Sequence, residues 1–217
     1  MRLKDQLEQA KAGFLSIAPE EARDSILLHI GELQRSGIAF GLREGEEAPD
    51  FVLSDPLGEE VTLYRELAKG PVVLTFYRGG WCPFCSLQLR AYQQILPEIR
   101  KLGGQLIAVT PQRPDHTLSQ LEKEALAFRV LSDPHGHVAD RYGLLYELPE
   151  YLRLTFANTL KRDLAAVNDT DRWVLPVPGT FIVDSGGIVR RARVDPDFMQ
   201  RMEPEEILDG LKELRGD

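Results

Sequence analysis

Apolar residues recur every three to four positions at the start of the chain: Leu3, Leu7, Ala10 and Phe14 share one face of a predicted helix. The spacing returns after Ser16 in Ile26, Leu27, Ile30 and Leu33. It predicts a second helix with Pro19 near its first turn, Glu20 and Glu21 at the positive end of the dipole, and an end near Gly37. From Gly45 the pattern turns to short extended runs. GEEAPDFVLSDPLGEEVTLYREL predicts an extended segment, a turn at residues 55–58, a short strand and a short helix. GPVVLTFY is continuously apolar and rich in β-branched residues, as a buried central strand is. Cys85 to Lys101 carries Leu89, Tyr92, Leu96 and Ile99 at helical spacing, with a kink expected at Pro97. QLIAVT predicts a second buried strand, and residues 115–128 a charged amphipathic helix. RVLSDPHGHVADRYGL predicts a short strand, a turn and a short helix. Residues 144–176 predict one or two helices. GTFIVDSGGIVRRARV predicts a hairpin turning at residues 184–187. Pro204 opens a last helix over 203–215, with Ile207, Leu208, Leu211 and Leu214 on one face.

Three strands alternating with helices, then a hairpin and a final helix, predict an α/β fold. Crossover helices make the first connections parallel and the hairpin makes the closing pair antiparallel, so the central sheet is mixed. The expected organisation is a helical extension over 1–44 and one domain over 45–217 with a helical insertion at about 144–176. The extension reads equally as a dimerisation arm or as a cap on the domain's own core.

Of 217 residues, 43% are hydrophobic and 28% charged, the balance of a globular chain. The formal net charge of -8 argues against nucleic acid and anionic lipid as partners, since both call for a basic footprint. No apolar run approaches the roughly 18 residues of a membrane span. MRLKDQLEQAKAGF has no apolar core of a secretory signal. The expected compartment is therefore the cytoplasm, where structural disulfides are rare.

That expectation gives weight to Cys82 and Cys85, the only two cysteines. They fall in VVLTFYRGGWCPFC, where a buried strand meets a helix. Cys82 takes the N-cap, Pro83 the first helical position and Cys85 the third. The unpaired amides and positive dipole end favour a thiolate there. Arg78 adds a nearby positive charge, while Trp81 and Phe84 keep bulk water away. A C-x-x-C in this frame is a redox pair. Zinc is the weaker reading, because it needs about four ligands and no second C-x-x-C exists. No cofactor is expected. Val177 and Pro178 precede a strand predicted to lie beside the Cys-bearing one. Pro178 is a candidate cis proline that sets backbone groups opposite the sulfurs, or an ordinary trans proline at a strand entrance.

With these segments in order, the chain resembles the peroxiredoxins of the AhpC/TSA type within the thioredoxin-fold superfamily. GEEAPDFVL, VVLTFYRGGWCPFC, LIAVTPQRPDHTLSQLEKE, FRVLSDPHGHVADRYGL and GTFIVDSGGIVRRARV carry the resemblance over about Gly45 to Arg201. It implies a thioredoxin-like fold and thiol-dependent reduction of hydroperoxides. In the family register Cys85 takes the peroxide-reactive position. Cys82 replaces the motif's threonine, Arg78 its proline, and Pro178 the arginine expected before the hairpin. Cys-Pro-aromatic-Cys is also similar to the glutaredoxin pattern.

Three readings follow. In a peroxidase, Cys85 attacks a hydroperoxide, Cys82 resolves the sulfenic acid, Arg78 stands in for the missing arginine, and a thioredoxin- or glutathione-type thiol is the reductant. In a general thiol-disulfide oxidoreductase, the more exposed Cys82 attacks and Pro178 positions the substrate. In a redox sensor, the N-terminal helices and the insertion are partner surfaces. A homodimer is compatible with each.

Overall fold

Residues 72–76 are buried at every position, and the rest of the molecule is arranged around them. The computed structural model describes residues 1–216. Strand β3 (Val72–Phe76) alternates its side chains between two apolar layers: Val73 joins one, and Val72, Leu74 and Phe76 join the other. Around it lie β1 (Val52–Ser54), β2 (Glu60–Thr62), β4 (Gln105–Thr110), β5 (Arg129–Ser132), β8 (Gly179–Val183) and β9 (Val189–Val194). They form one seven-stranded sheet in the order β2-β1-β5-β4-β3-β8-β9. The β3–β4 and β4–β5 pairs are parallel, while β3–β8 and β8–β9 are antiparallel. This is the mixed sheet that the pattern predicts. β6 (Leu145–Glu147) and β7 (Val174–Pro176) pair separately and close the segment between them.

Helices cover both faces. They are α1 (Leu3–Ile17), α2 (Glu20–Ser36), α3 (Leu63–Leu67), α4 (Pro83–Gln94), α5 (Leu96–Lys101), α6 (Pro114–Glu124), α7 (His137–Arg141), α8 (Glu150–Leu154), α9 (Leu164–Asn168) and α10 (Pro204–Arg215). Several differ from expectation for physical reasons. Pro97 does not kink one long helix. The break falls at Ile95, and Pro97 sits in the first turn of α5, where its missing amide costs nothing. Pro19 is the N-cap of α2, directly before its first turn as the pattern places it. The inward face of α2 is Ala22, Ile26, His29, Ile30 and Leu33, which leaves Leu27 exposed. Helix α6 stops four residues early. Ala125 adopts the left-handed conformation, and the Leu126 amide bonds back to the Leu121 carbonyl. Between α8 and α9 the chain makes a π-helical turn (Thr155–Thr159), so the insertion holds a strand pair as well as helices.

The N-terminal helices share a core with the cysteines. Leu3, Leu7, Ile26, Ile30 and Leu33 belong to the same buried layer as Cys82, Cys85 and Leu89. Helix α2 also meets the insertion through polar contacts. Thr155 and Ser25 hydroxyls lie 3.0 Å apart, and the Thr159 hydroxyl donates to Glu21 at 3.1 Å. At the other end, Glu203 caps two helices at once. It accepts the Lys4 amide of α1 at 2.6 Å and forms a capping box with Glu206 at the start of α10. Among the described residues, no helix is long and apolar enough to cross a membrane.

Candidate active site around Cys82 and Cys85

Strand β3 delivers the chain into a tight loop, residues 77–81. The Tyr77 amide still bonds the Val109 carbonyl of β4 at 3.0 Å. Gly79 follows at φ +148°, and a Cβ there would meet the Trp81 indole nitrogen at 2.3 Å, so the loop requires glycine. The Gln112 side chain fixes the loop by accepting the Gly80 amide at 2.7 Å. Cys82 is then the N-cap of α4 and Pro83 its first residue. The Cys82 carbonyl accepts the amides of Cys85 and Ser86.

Both cysteines are free thiols, and both are buried. Cys82 is 2% exposed and Cys85 0%. Cys82 is the more exposed of the two, but only slightly, because aromatic side chains and the N-terminal helices cover the helix start. What distinguishes the two sulfurs is a cavity of about 220 Å³. Cys82 lines it together with Arg78, Trp81 and Phe84, while Cys85 does not. Phe14 of α1 and Ile26 of α2 contribute to its wall.

Two arginines converge on the sulfurs. Arg78 is 3% exposed, with Nη1 4.0 Å from Cys82 Sγ. Its guanidinium lies 3.9 Å over the Phe198 ring and 5.0 Å from the Trp81 ring centre. Arg201 brings Nη2 to 3.5 Å from Cys85 Sγ. Its Nε donates to Gln88 Oε1 at 2.7 Å, and Nη1 donates to the Phe198 and Gln200 carbonyls. Gln88 lies one turn beyond Cys85 on α4, and its amide donates to the hydroxyls of Thr75 and Thr180. The Tyr92 hydroxyl holds the Met202 carbonyl at 2.9 Å, which fixes the loop that carries Arg201. Neither arginine is ion-paired with a carboxylate among the described residues.

Two buried cations without carboxylates favour an anion between them. Burial alone opposes ionisation of Cys85. The hydrogen bond from Cys82, the charges of Arg201 and Arg78, and the Arg78 backbone amide outweigh it and lower its pKa to about 5. Cys82 moves the other way. Its hydrogen bond to Cys85, its burial and the neighbouring sulfur charge hold it well above the ordinary thiol range, against the two arginines. The two shifts favour the thiolate on Cys85 and the thiol on Cys82. His29 stacks on Tyr146 at 5.1 Å beside this group. Burial, with the charge of Arg78, lowers its pKa to about 4, so it is neutral there.

The structure brings Cys82, Cys85, Arg78, Trp81 and Phe84 together. Val177 and Pro178 are both buried and neither lines the cavity at Cys82, although Val177 shares the buried layer of the two cysteines and Gly179 pairs with Phe76 at the end of β3. The Val177 amide is spent on the Leu144 carbonyl at 2.8 Å, and no peptide bond among the described residues is cis. Pro178 is the trans proline at a strand entrance. The residue that sequence reasoning missed is Arg201. Its signal was indirect. Gln88 is a polar residue on the inward face of α4, and such a residue calls for a buried partner. Among the described residues, no three His, Cys, Asp or Glu side chains gather as a metal site.

Comparison with known proteins gives the geometry a context. Thiol-disulfide oxidoreductase ResA of Halalkalibacterium halodurans is 34% identical over 103 residues, 47% of this chain and 57% of that protein. Peroxiredoxin Bcp of Escherichia coli is 30% identical over 103 residues, 48% of this chain and 65% of that protein. The chain thus spans less than two thirds of the length of these relatives. Among solved structures, peroxidoxin BcpB from Mycobacterium tuberculosis superimposes with a TM-score of 0.62 at 21% identity, covering 80% of this chain and 99% of that one. A peroxiredoxin-like protein from Aquifex aeolicus gives 0.61 at 18% identity, covering 80% and 88%. These neighbours share the thioredoxin-like fold. A model of the AhpC/TSA family matches residues 45–192, which takes in most of the chain and both cysteines. By that match, the chain belongs to the AhpC/TSA family.

Proposed function

We propose that the protein is a thiol-dependent peroxidase whose attacking sulfur is Cys85. One observation carries this reading: the sulfur that faces an unpaired arginine, Cys85 at 3.5 Å from Arg201, is the sealed one, 0% exposed. A sulfur buried this deeply fits a substrate as small as a hydroperoxide better than a disulfide presented by a folded protein. The Cys85 thiolate attacks the distal peroxide oxygen, an S–O bond forms as the O–O bond breaks, and the departing alkoxide or hydroxide takes a proton from solvent and leaves as alcohol or water. Arg201 and Arg78 stabilise the negative charge that moves onto the departing oxygen. The sulfenic acid on Cys85 is then attacked by Cys82, water leaves, and a Cys82–Cys85 disulfide forms. An external thiol reductant of thioredoxin or glutathione type restores the pair.

A second reading, a general thiol-disulfide oxidoreductase, draws support from the cavity that opens on Cys82 and from the likeness to ResA. It requires Cys82 to attack, yet Cys82 is 2% exposed and protonated. Incubation of Cys85→Ser with disulfide substrates separates the two. A stable mixed disulfide through Cys82 favours the oxidoreductase, and peroxide consumption by the wild type with no such adduct favours the peroxidase.

The pH profile is a further test. A lowered pKa means that the reactive form accumulates as pH rises. The peroxide reaction should be half-maximal near pH 5, where Cys85 titrates, and level through neutrality. Stopped-flow oxidation rates and ultraviolet thiolate absorbance should share that midpoint. A midpoint at the free-thiol value of about 8.5 would remove Cys85 as the attacking group.

A further inference from the structure

The cavity at Cys82 has a use that the peroxide step leaves open. We propose that it admits the reductant, and that the reductant is a low-molecular-weight thiol bearing a carboxylate rather than a protein thiol. This rests on the pair cycling through an internal disulfide, as in the peroxidase reading.

Four observations point the same way. First, Cys82 is the only one of the two sulfurs on the cavity wall, so a thiolate entering there meets Cys82 and not Cys85. Second, the leaving group suits that attack. Cys85 departs as the thiolate that Arg201 already holds, and thiols of low pKa leave faster. Third, the size is small. The cavity is about 220 Å³, below the roughly 300–1,000 Å³ of sites that enclose drug-sized ligands. It takes the thiol arm of a small molecule between Phe14, Ile26, Phe156 and Phe198. A folded protein would have to carry a cysteine past those rings to a sulfur that is 2% exposed. Fourth, the charge is local and positive. The chain carries a formal net charge of -8. The cavity nonetheless has Arg78 in its wall and the exposed Arg162 on its rim. Among the described residues, neither is ion-paired with a carboxylate; Arg78 is buried against Phe198 and Cys82 and sets the sign of the local field, while the exposed Arg162 is open to the carboxylate of a ligand.

The chemistry closes with two equivalents of thiol. A first thiolate attacks Cys82 Sγ, a mixed disulfide forms, and the Cys82–Cys85 bond breaks with its electron pair on Cys85. A second thiolate attacks the outer sulfur of the mixed disulfide. Cys82 leaves, takes a proton, and the two small thiols depart as their disulfide.

The test starts from full-length protein oxidised with diamide, so no peroxide is involved and a failure of peroxidase activity is scored separately. Reduction is followed by the fluorescence of Trp81 and Trp173, with glutathione, neutral 2-mercaptoethanol, or a bacterial thioredoxin as reductant. Rates are compared at equal thiolate concentration. The ratio of the glutathione rate to the 2-mercaptoethanol rate should fall about fivefold in Arg162→Ala, the scale of one exposed charge pair. It should fall further in Arg162→Glu, recover in Arg162→Lys, and shrink with added salt. Quenching with N-ethylmaleimide should find glutathione on Cys82 and the alkyl group on Cys85. A ratio unchanged across the Arg162 variants overturns the inference, as does glutathione on Cys85. Thioredoxin outpacing glutathione would assign the reductant to a protein instead. Failure of diamide to remove both free thiols would also end it.

Discussion

Serine at Cys85 abolishes peroxide consumption, while serine at Cys82 permits the first oxidation of Cys85 but no turnover through an internal disulfide. This is the largest effect expected of any single change. Cys85 is the sulfur whose pKa is lowered, to about 5, and a serine hydroxyl in its place stays protonated. Loss of a nucleophile costs at least about a thousandfold in rate. Cys82→Ser keeps the Arg201 contact to Cys85 and so keeps the first attack. It removes the sulfur that forms the internal disulfide, so the sulfenic acid persists, reacts with dimedone, and is oxidised further by excess peroxide. Peroxide consumption, dimedone labelling and intact mass check the pair of variants together. Ordinary turnover by Cys85→Ser would refute the assignment. Inactivity of Cys82→Ser toward a single equivalent of peroxide would transfer the attack to Cys82.

The second large effect is at Arg201. Arg201→Met keeps much of the side-chain volume and removes the charge 3.5 Å from Cys85 Sγ. Burial, which already opposes the thiolate, then meets less resistance, and the Cys85 pKa climbs from about 5 toward the free-thiol range. Were it to reach about 8.5, the thiolate fraction at neutral pH would fall to a few per cent, a loss of up to about thirtyfold. The rate should recover as pH is raised, which a merely misfolded variant would not do. The substitution also strands Gln88 Oε1 and the Phe198 and Gln200 carbonyls, so the melting temperature should drop as well. A rate–pH midpoint that stays near 5 would show that Arg78 and Cys82 hold the thiolate without Arg201.

Much of the frame is legible in the residue pattern because local rules are strong there. The run through β3 is apolar at every position, as a strand covered on both faces must be. Pro83 starts α4 and Pro204 starts α10, both in the one helical turn that tolerates proline. The β8–β9 hairpin turns where Asp184 to Gly187 predict it. Where the pattern misleads, a tertiary contact decides. Leu27 has the right spacing to point inward, but the face that docks is centred on Ile26, His29 and Ile30. Arg201 is separated from Cys85 by 116 positions, and no local periodicity reports that they meet. Its neighbourhood reads as a loop, and only the folded chain turns that loop toward the helix start. The burial of Cys82 is equally non-local, since α1, α2 and the insertion supply its cover.

Glu203 binds the chemistry to the architecture in another way. One carboxylate, two residues after Arg201, receives the Lys4 amide from the first turn of α1 and the Glu206 amide from the first turn of α10. Lifting α1 away takes a donor from that carboxylate and loosens the cap of α10. Holding α10 in place favours the return of α1. The amino-terminal helix and the carboxy-terminal helix therefore share one cap, and loss of either contact weakens the other. The segment beside that shared cap is the one that carries the cation facing Cys85. The packing of the two chain ends and the ionisation of a single sulfur thus meet in one segment.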